Sequence, residues 1–557
     1  MKDHAATLAR AREACATRAY WSPFPEMPKL YPDVGRAAPA GKAAFQAMSG
    51  TQFALDLPGV TGCTGEEISP YTRAPLGISY PQADPDALFA AARAALPGWA
   101  AADIDTRLML LMEGLDRLYR DHLFTLVHAV MHTAGQSYNM AYAGSGVNAL
   151  DRGIEALVYA EQAMRAVTPS ATWARRFGPD EIALHKTYRL VPRGVAVCFT
   201  CASFATWNAW PSMLASLATG NAVIVKPHPA SVLPMAITVR VFRALLAERG
   251  FDPNLVTLCV DTLADPLGKV LIKHPDCAIV DFTGSARFGH WVEANAHPAL
   301  AFTETSGCNT VVLAGAQDLD AAIRSLATTM CMFSAQMCTS PQNVYLPPEI
   351  DTPDGPVPRD TVARMLADAI ARLVDDPRRA GMILATIQAP QTLALIDWVR
   401  DQAAQRGRVL LDSRAYPHPE FPNARTATPL LVQVGKTAQD LYAEERFGPI
   451  GFVIDCDSAE DALYQATTDA RRNGGITGFV YARDEGFIAA AEDAYARAGA
   501  QLTINLTGAM PLNFAAAYSD YHVTGLNGAG NATLTTPGFV VPRFAVAQSR
   551  RPVEGTP

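Results

Sequence analysis

The most constraining feature of this chain is a run from residue 195 to 282 in which short apolar segments alternate with helix-like segments. The apolar segments predict buried strands, and the segments between them end at Gly or begin with Pro, as helices do. The predicted strands are 195–199, 222–225, 256–260 and 277–282, and the predicted helices are 207–218, 234–248 and 266–273. Alternating strands and helices form a parallel, doubly wound α/β sheet, which binds ligands at the carboxyl ends of its strands.

The N-terminal part of the chain is predicted to be helical. Residues 1–50 form an extension that contains a short helix and an extended Pro-rich stretch at 21–28, because each proline disfavours helix at the residue before it. Asp84 and Pro85 predict the N-cap and the first residue of a helix. Further helices are predicted over about 107–132 and 148–165.

The C-terminal part predicts a second α/β unit. It extends from about residue 310 to 500, and its Pro- and Asp-rich piece at 347–358 predicts a surface loop. After residue 501 the chain alternates short apolar pieces with Gly and Asn. This pattern predicts strands and loops, which we interpret as an oligomerisation arm and tail.

Composition excludes several classes of protein. The net charge of −8 and the pI near 5.8 argue against a nucleic-acid partner. The most apolar stretch, 191–226, is interrupted by charged and polar residues, so no membrane span is predicted. The ten cysteines are sparse and irregularly spaced, which favours reduced thiols in a cytoplasm. The histidines show no metal-binding spacing, so no metal site is predicted.

One thiol and one carboxylate suggest a two-step chemistry. Cys338 lies in Ser334-Ala335-Gln336-Met337-Cys338-Thr339, and Glu304 lies upstream in Phe302-Thr303-Glu304-Thr305-Ser306-Gly307. A thiolate can attack a carbonyl carbon and hold the product as a thioester, and a carboxylate can then activate the water that releases it. Downstream of a nucleotide-binding βαβ array, this pair predicts oxidation of an aldehyde.

Several motifs stand in a fixed order along the chain. They are Pro192-Arg193-Gly194-Val195, Gly220-Asn221-Ala222-Val223-Ile224-Val225-Lys226-Pro227, Phe282-Thr283-Gly284-Ser285-Ala286-Arg287-Phe288-Gly289, then Glu304, Cys338 and Glu444-Glu445-Arg446-Phe447-Gly448-Pro449. This ordered set resembles the aldehyde dehydrogenase superfamily from about residue 60 to 500. The resemblance implies an NAD(P)-binding domain over 51–303, a catalytic domain over 304–500, and an oligomerisation arm from 501–557 with a piece near 181–192.

Within the superfamily, the chain is similar to the PaaN type of phenylacetic acid degradation protein. The similarity lies in Glu66-Glu67-Ile68-Ser69-Pro70-Tyr71-Thr72-Arg73, Lys226-Pro227-His228-Pro229, Gln336-Met337-Cys338-Thr339 and Ile504-Asn505-Leu506-Thr507-Gly508. It implies a cytoplasmic enzyme of aromatic acid breakdown whose small-molecule substrate is a ring-opened semialdehyde, with or without a CoA thioester. It also implies a homodimer or a dimer of dimers.

Two residues compete for the role of oxyanion donor. The superfamily supplies one donor from the backbone amide of the cysteine and one from an asparagine side chain. Counting back from Lys226 without gaps places Ser203 at that asparagine position, whereas the nearby asparagine is Asn208. A serine hydroxyl donates more flexibly than an amide, and the sequence leaves both residues as candidates.

The resemblance also assigns the cofactor residues. Lys226 is expected on the adenosine ribose, and Pro229 stands where many NAD-preferring relatives have a glutamate. Without that acid, a 2′-phosphate is not repelled there, which favours NADP over NAD. The remaining implied contacts are Gly284, Ser285 and Gly289 at the pyrophosphate and Glu445 and Phe447 at the nicotinamide ribose and ring.

Two other functions are compatible with the sequence. A CoA-acylating aldehyde dehydrogenase would share most of these motifs, but such relatives generally lack the glutamate seen at position 304. A catalytically silent binding or structural protein could also keep the same fold. The retained Cys338, Glu304 and Lys226 argue against that second alternative.

Overall fold

The N-terminal region is mostly helical. The structure is a computed structural model, and it describes residues 4–534 and 536–553. The first elements in chain order are α1 (His4–Thr17), α2 (Val34–Met48), β1 (Val60–Thr64), β2 (Tyr80–Ala83), α3 (Pro85–Ala101), α4 (Ile104–Arg117), α5 (Leu123–Ala134), α6 (Tyr138–Tyr142), α7 (Asn148–Arg165), β3 (Ser170–Phe177) and β4 (Asp180–Pro192). The predicted helix start is confirmed, since Asp84 Oδ1 accepts a hydrogen bond from the Ala87 amide at 2.9 Å. The single helix predicted over 107–132 is two helices, because a π-helical turn at Leu118–His122 separates α4 from α5.

The alternating segments form a five-stranded parallel sheet in the order β7-β6-β5-β8-β9. Its elements are β5 (Val195–Thr200), α8 (Ala205–Ala218), β6 (Ala222–Pro227), α9 (Leu233–Glu248), β7 (Val256–Leu258), α10 (Gly268–Lys273), β8 (Cys277–Thr283), α11 (Ala286–Asn295) and β9 (Leu300–Glu304). Strands β5 and β6 are buried at every residue, which explains why they are continuous apolar runs. The predicted doubly wound α/β fold is confirmed.

A second sheet has seven strands in the order β14-β15-β16-β11-β10-β17-β18 and is parallel except for its edge strand β14. Its region comprises β10 (Asn309–Leu313), α12 (Leu319–Cys331), β11 (Pro341–Leu346), β12 (Glu349–Ile350), β13 (Val357–Pro358), α13 (Arg359–Val374), α14 (Pro377–Ile383), α15 (Pro390–Arg406), β14 (Gly407–Leu411), β15 (Leu430–Gly435), α16 (Gln439–Tyr442), β16 (Ile450–Asp455), α17 (Ala459–Asn473), β17 (Thr477–Tyr481), α18 (Glu485–Ala498) and β18 (Gln501–Ile504). The loop predicted at 347–358 needs correction, because its ends pair as the antiparallel strands β12 and β13.

The end of the chain returns to the first sheet. After α19 (Pro537–Val540), strand β19 (Phe544–Pro552) pairs with β4, which also pairs with β3, to give a three-stranded antiparallel arm. Arg543 fixes the return, since its fully buried guanidinium donates to the Asp281 carboxylate and to Ser216 Oγ. Between β18 and α19, residues 505–534 form an irregular segment that hydrogen-bonds both to β9 of the first sheet and to α12 of the second region.

Two further observations concern membrane-crossing helices and the cysteines. In the described ranges, no helix combines the length and apolarity that a membrane crossing requires. All ten cysteines are free thiols.

Candidate active site

The loop that carries Cys338 is held in an unusual backbone conformation. After α12, Phe333, Ser334 and Ala335 have φ angles of 48°, 51° and 52°, a left-handed conformation that costs roughly 1–3 kcal/mol for each residue without compensation. Ser334 Oγ donates to the Leu384 carbonyl at 2.9 Å, and Gln336 Nε2 donates to the Thr386 carbonyl at 2.8 Å. Strain of this kind is maintained where the surrounding contacts over-determine the backbone, as they do here.

Asn309 and Gly307 fix the position of Cys338 itself. Asn309 Nδ2 donates to the carbonyls of Cys338 and Ser340, both at 2.8 Å, and its own side chain is fully buried. A Cβ on Gly307 would lie 2.0 Å from the Cys338 carbonyl oxygen, so this approach requires glycine. Neither residue was singled out from the sequence.

Glu304 is the last residue of β9 and is almost completely buried, at 4% exposure. Asn208 Nδ2 donates to its Oε2 at 3.2 Å, and His522 Nε2 lies 3.1 Å from its Oε1. Burial alone would raise the pKa of Glu304, but the charge and the hydrogen bond of His522, with help from Cys338 and Asn208, hold that pKa below its ordinary value. Glu304 is therefore ionised at neutral pH.

The Cys338 thiol lies against the same two groups. Its Sγ is 3.7 Å from His522 Nε2. The Cys338 sulfur, a Glu304 carboxylate oxygen and a His522 ring nitrogen all lie within 4.8 Å of one another. Burial raises the pKa of Cys338 well above its ordinary value, and the nearby Glu304 charge raises it further. In this arrangement Cys338 is a neutral thiol beside an ionised carboxylate.

The structure separates the two candidate oxyanion donors. Helix α8 begins at Ala205, so Asn208 lies in its first turn, where the amide donates to Glu304. Ser203 lies in the loop before α8, where its carbonyl accepts from Gln136 Nε2 at 2.7 Å and its Oγ is 4.0 Å from Cys201 Sγ. Of the two side chains, only that of Asn208 has a hydrogen bond to Glu304.

Cys338 lies where two cavities adjoin. One cavity, of about 420 Å³, is lined by apolar side chains such as Trp207, Met337 and Phe514 and by His522. The other, of about 310 Å³, opens toward the carboxyl end of the five-stranded sheet. The two cavities share Phe204, Asn208 and Cys338. A reactant on either side would therefore meet the same thiol.

Four of the seven predicted cofactor residues line the second of these cavities. Gly284 and Ser285 line it at the start of α11, and Ser285 makes no side-chain cap, so the first-turn amides of α11 are available to a pyrophosphate. Gly289 lies one turn further along α11, and a Cβ there would approach Thr305 Cγ2 to 2.0 Å. Gly289 thus allows close packing of helix on strand, one of the roles of glycine in dinucleotide sites.

Glu445 and Phe447 line the same cavity from the loop between α16 and β16. The Gly307 amide donates to Glu445 Oε1 at 2.9 Å. Burial is the main cause that raises the pKa of Glu445 to about 7, and the Glu304 charge adds to it. Glu445 and Phe447 lie where they fit the nicotinamide end of a cofactor whose pyrophosphate would lie at α11.

Lys226 and Pro229 lie at the carboxyl end of β6, outside that cavity. Lys226 Nζ is 2.6 Å from Asp261 Oδ1, and both side chains are buried. Asp261 follows β7 and was not singled out from the sequence. The neighbouring His228 is largely neutral, because burial and the Lys226 charge lower its pKa.

The motif around residues 66–73 has a structural role. Glu67 Oε1 accepts hydrogen bonds from the Val232 and Leu233 amides at 2.6 and 2.8 Å, so its carboxylate covers the N-terminus of α9. Tyr71 Oη donates at 2.7 Å to the carbonyl of Gln136, the residue that also holds Ser203. None of residues 66–73 lines either cavity that contains Cys338.

Comparison with known proteins identifies the family. A family model described as the aldehyde dehydrogenase family matches residues 61–509. The chain belongs to this family. A crystal structure of an NAD-dependent aldehyde dehydrogenase from Burkholderia multivorans is 43% identical, covers 99% of this chain and 98% of that chain, and superposes with a TM-score of 0.95.

More distant aldehyde dehydrogenases are also similar. A vanillin dehydrogenase of Pseudomonas fluorescens is 28% identical over 440 residues, which is 76% of this chain and 81% of that protein. An NADP-dependent glyceraldehyde-3-phosphate dehydrogenase from Bacillus halodurans shares the fold alone, at 17% identity and a TM-score of 0.70 over 88% of this chain and 96% of that one.

Sequence reasoning on this aldehyde dehydrogenase missed three polar residues at the site. His522 belongs to the irregular segment 505–534, Asn309 to the start of β10, and Asp261 to the turn after β7. His522 lies 184 residues from Cys338, and Asn309 and Asp261 meet their partners only because neighbouring strands pair in the two sheets, so no local spacing could reveal them. An alignment that showed His522 and Asn309 to vary together with Cys338 would have been the usable signal.

Proposed function

We propose that this aldehyde dehydrogenase converts an aldehyde into a carboxylic acid through a thioester on Cys338. The observation that carries the proposal is the position of Cys338 where an apolar cavity adjoins the cavity over α11. An aldehyde in the first cavity and a nicotinamide ring in the second would both reach the sulfur. A bound nicotinamide cofactor would supply the acceptor for the hydride that leaves the substrate carbon.

Three side chains have separate roles in the proposed reaction. The Cys338 thiolate attacks the aldehyde carbon, and the Asn208 amide donates to the oxygen that becomes negative. We choose Asn208 over Ser203 because its Nδ2 already points into the site, toward Glu304. Once the thioester has formed, ionised Glu304 removes a proton from water, the hydroxide adds to the carbonyl carbon, and the carbon–sulfur bond breaks.

We propose NAD as the preferred cofactor. The preference for NADP predicted from the sequence depended on the lack of an acid at position 229. Asp261 provides a carboxylate 2.6 Å from Lys226, the residue expected on the adenosine ribose. It also neutralises the ammonium that a 2′-phosphate would need, and the neutral His228 offers no substitute. The similarity to a structure described as NAD-dependent agrees with this proposal.

Replacing Asp261 by asparagine is expected to tighten NADP⁺ binding by about tenfold, equivalent to about 1.4 kcal/mol, with a smaller change for NAD⁺. The variant leaves Lys226 free to meet a phosphate. Fluorescence-detected titrations with both nucleotides measure the two dissociation constants without any turnover. The exposed neighbour Asp265, replaced in the same way, should leave both constants unchanged. An unaltered ratio of the two constants in D261N would refute the role of Asp261.

We propose a PaaN-type substrate, a ring-opened semialdehyde carried as a CoA thioester. A third cavity, of about 1230 Å³, supports this choice because it shares Ser137, Asn139 and Met382 with the apolar cavity at Cys338. Its wall includes aromatic rings and neutral histidines, with Phe45 stacked on His132 at 4.9 Å. Lys42 and Arg378 line it and are exposed, so they could meet the phosphates of a long tail.

An aromatic aldehyde is the second candidate substrate. The apolar cavity is lined by Phe204, Trp207 and Phe514, which would pack against a single ring. The similarity to vanillin dehydrogenase favours this candidate. It would leave the large third cavity without a role in catalysis.

The activity is tested with purified protein, NAD⁺ and NADP⁺ in parallel, and a panel of aldehydes. The panel pairs each semialdehyde as a free acid and as a CoA thioester, and includes vanillin. We expect reduced cofactor and an equal amount of free carboxylic acid without added CoA, with a lower KM for the thioester form. Product that appears only as acyl-CoA would favour the CoA-acylating alternative, and the lack of any aldehyde-dependent turnover would favour a silent binding protein.

We further propose a cytoplasmic homodimer or dimer of dimers. The ten free thiols fit a reducing compartment. Strand β3 is exposed at seven of its eight residues, and Phe177, Ile182 and Val546 expose large apolar side chains on the arm. Such a surface fits a partner subunit, and light scattering on the purified protein measures the number of subunits.

A further inference from the structure

His522 reaches the active site from the far end of the chain. The backbone before it is held by the fully buried Arg152, which donates to the carbonyls of Ala515 and Asp520, and Gln501 Nε2 donates to the carbonyl of His522 itself. The imidazole ring packs edge-on against Trp207 at 5.0 Å between centroids. These contacts place the ring in one position although the segment has no helix or strand around it.

The ring presents one nitrogen to two reacting groups. Nε2 is 3.1 Å from Glu304 Oε1 and 3.7 Å from Cys338 Sγ, and the side chain is 2% exposed. An ionised carboxylate can only accept, so Nε2 carries the proton in this arrangement. The same N–H is within reach of the sulfur, which accepts well once it is a thiolate.

Resting on the proposed thioester chemistry, we propose that His522 is a catalytic residue. Its Nε2–H donates a hydrogen bond to Glu304 in the resting site and to the Cys338 sulfur once that sulfur is a thiolate. On substrate binding the S–H bond of Cys338 breaks and an O–H bond forms on Glu304. The Nε2–H hydrogen bond moves from the carboxyl oxygen to the new thiolate. Because one proton moves within the group, the total charge of the three side chains stays the same.

This exchange explains how a thiol with a raised pKa can become a nucleophile. Apart from burial, the charge of Glu304 is the main cause that raises the pKa of Cys338. That repulsion vanishes when Glu304 accepts the proton, and the N–H of His522 then stabilises the sulfur. Glu304 later loses its proton to solvent, regains the hydrogen bond from Nε2, and is again the base that hydrolysis requires.

Few other charges face this group. The Arg152 guanidinium carbon lies 5.4 Å from the centroid of the Trp207 ring. Arg152 also forms an ion pair with Glu155, with 2.7 Å between nitrogen and oxygen. Glu445 faces Glu304 and Cys338 from the loop between α16 and β16, and Cys201 faces Cys338 from the loop after β5. Arg152 is thus paired with Glu155, and His522 presents its Nε2–H to both the thiol and the carboxylate.

The test compares His522→Leu, which removes the donor, with His522→Gln, which keeps an N–H donor that does not titrate. Both are measured in the full chain for kcat, for the pH dependence of Cys338 alkylation by iodoacetamide, and for NAD⁺ binding as a check on folding. We expect H522L to lower kcat by about 100-fold and to move the midpoint of alkylation to higher pH. The acid limb of the kcat profile should also move to higher pH, because Glu304 loses the group that lowers its pKa. H522Q should recover at least tenfold of the lost kcat.

The outcomes separate this proposal from the proposed function. Replacing the exposed His290 by glutamine should change nothing. If H522L keeps the wild-type kcat and alkylation profile while C338A is inactive, the role of His522 is wrong and the thioester route stands. If H522Q is as impaired as H522L, donation by Nε2–H is wrong. If C338A is itself active, the proposed function fails first.

Discussion

Replacing Cys338 by alanine is expected to lower kcat for aldehyde oxidation by about 10⁴-fold or more, because the covalent route loses its nucleophile. The variant should fold normally, since Asn309 binds the backbone carbonyl of residue 338 and not its thiol. Aldehyde-dependent formation of reduced cofactor measures the loss. NAD⁺ titration of the same sample shows whether the cavity over α11 is intact.

A matched control separates a specific loss from a general effect of removing a thiol. Cys63 is exposed, lies in β1 and lines none of the three cavities described above. Cys63→Ala should keep full activity, and mass spectrometry after reaction with a substrate aldehyde should find the acyl adduct at Cys338 alone. Activity of C338A close to that of the wild type would refute the thioester mechanism, whatever the state of His522.

The sequence was sufficient to predict those strands and helices that depend only on nearby residues. The strands β5, β6 and β8 were predictable because a parallel sheet covered on both faces needs continuous apolar runs. The start of α3 was predictable because Asp84 caps its own helix. Cys338 and Glu304 were found because each lies in a short motif that resembles a known family, and the structure brings them together.

The groups that complete the site depend on contacts between distant parts of the chain. His522 lies 184 residues after Cys338 and 218 after Glu304. Asp261 meets Lys226 because β6 and β7 are neighbours in the sheet, so their carboxyl ends adjoin. Sheet order and the course of an irregular segment decide both contacts, and neither leaves a periodic pattern in the sequence.

The uncertainty between Ser203 and Asn208 has a related cause. Counting residues back from Lys226 assumes a loop and helix of fixed length, and that count selects Ser203. The helix α8 begins at Ala205, and its first turn points the Asn208 amide toward Glu304. Counting alone therefore does not reveal which of the two side chains hydrogen-bonds Glu304, although both line the cavity that contains Cys338.

Replacing Glu304 by glutamine is expected to separate the two halves of the reaction. Without a base, release of the thioester should slow by about 10²–10⁴-fold, so reduced cofactor should appear as a burst close to one per active site, followed by slow turnover. The variant also removes the charge that, after burial, does most to raise the pKa of Cys338, so the thiol can lose its proton to solvent although Glu304 is no longer there to accept it. Its thiol should therefore be alkylated faster than that of the wild type at neutral pH.

This pair of effects, a faster thiol and a slower turnover, distinguishes a base from a structural carboxylate. A merely structural Glu304 would lower both rates together when replaced, because the packing around Cys338 would be lost. Rapid-mixing kinetics measure the burst, and hydroxylamine added after the burst should capture the accumulated thioester. Glu444→Gln is the matched control, since Glu444 is exposed and pairs only with the nearby Arg446 among the ion pairs of the described residues. Linear kinetics without a burst in E304Q would show that release does not depend on this carboxylate.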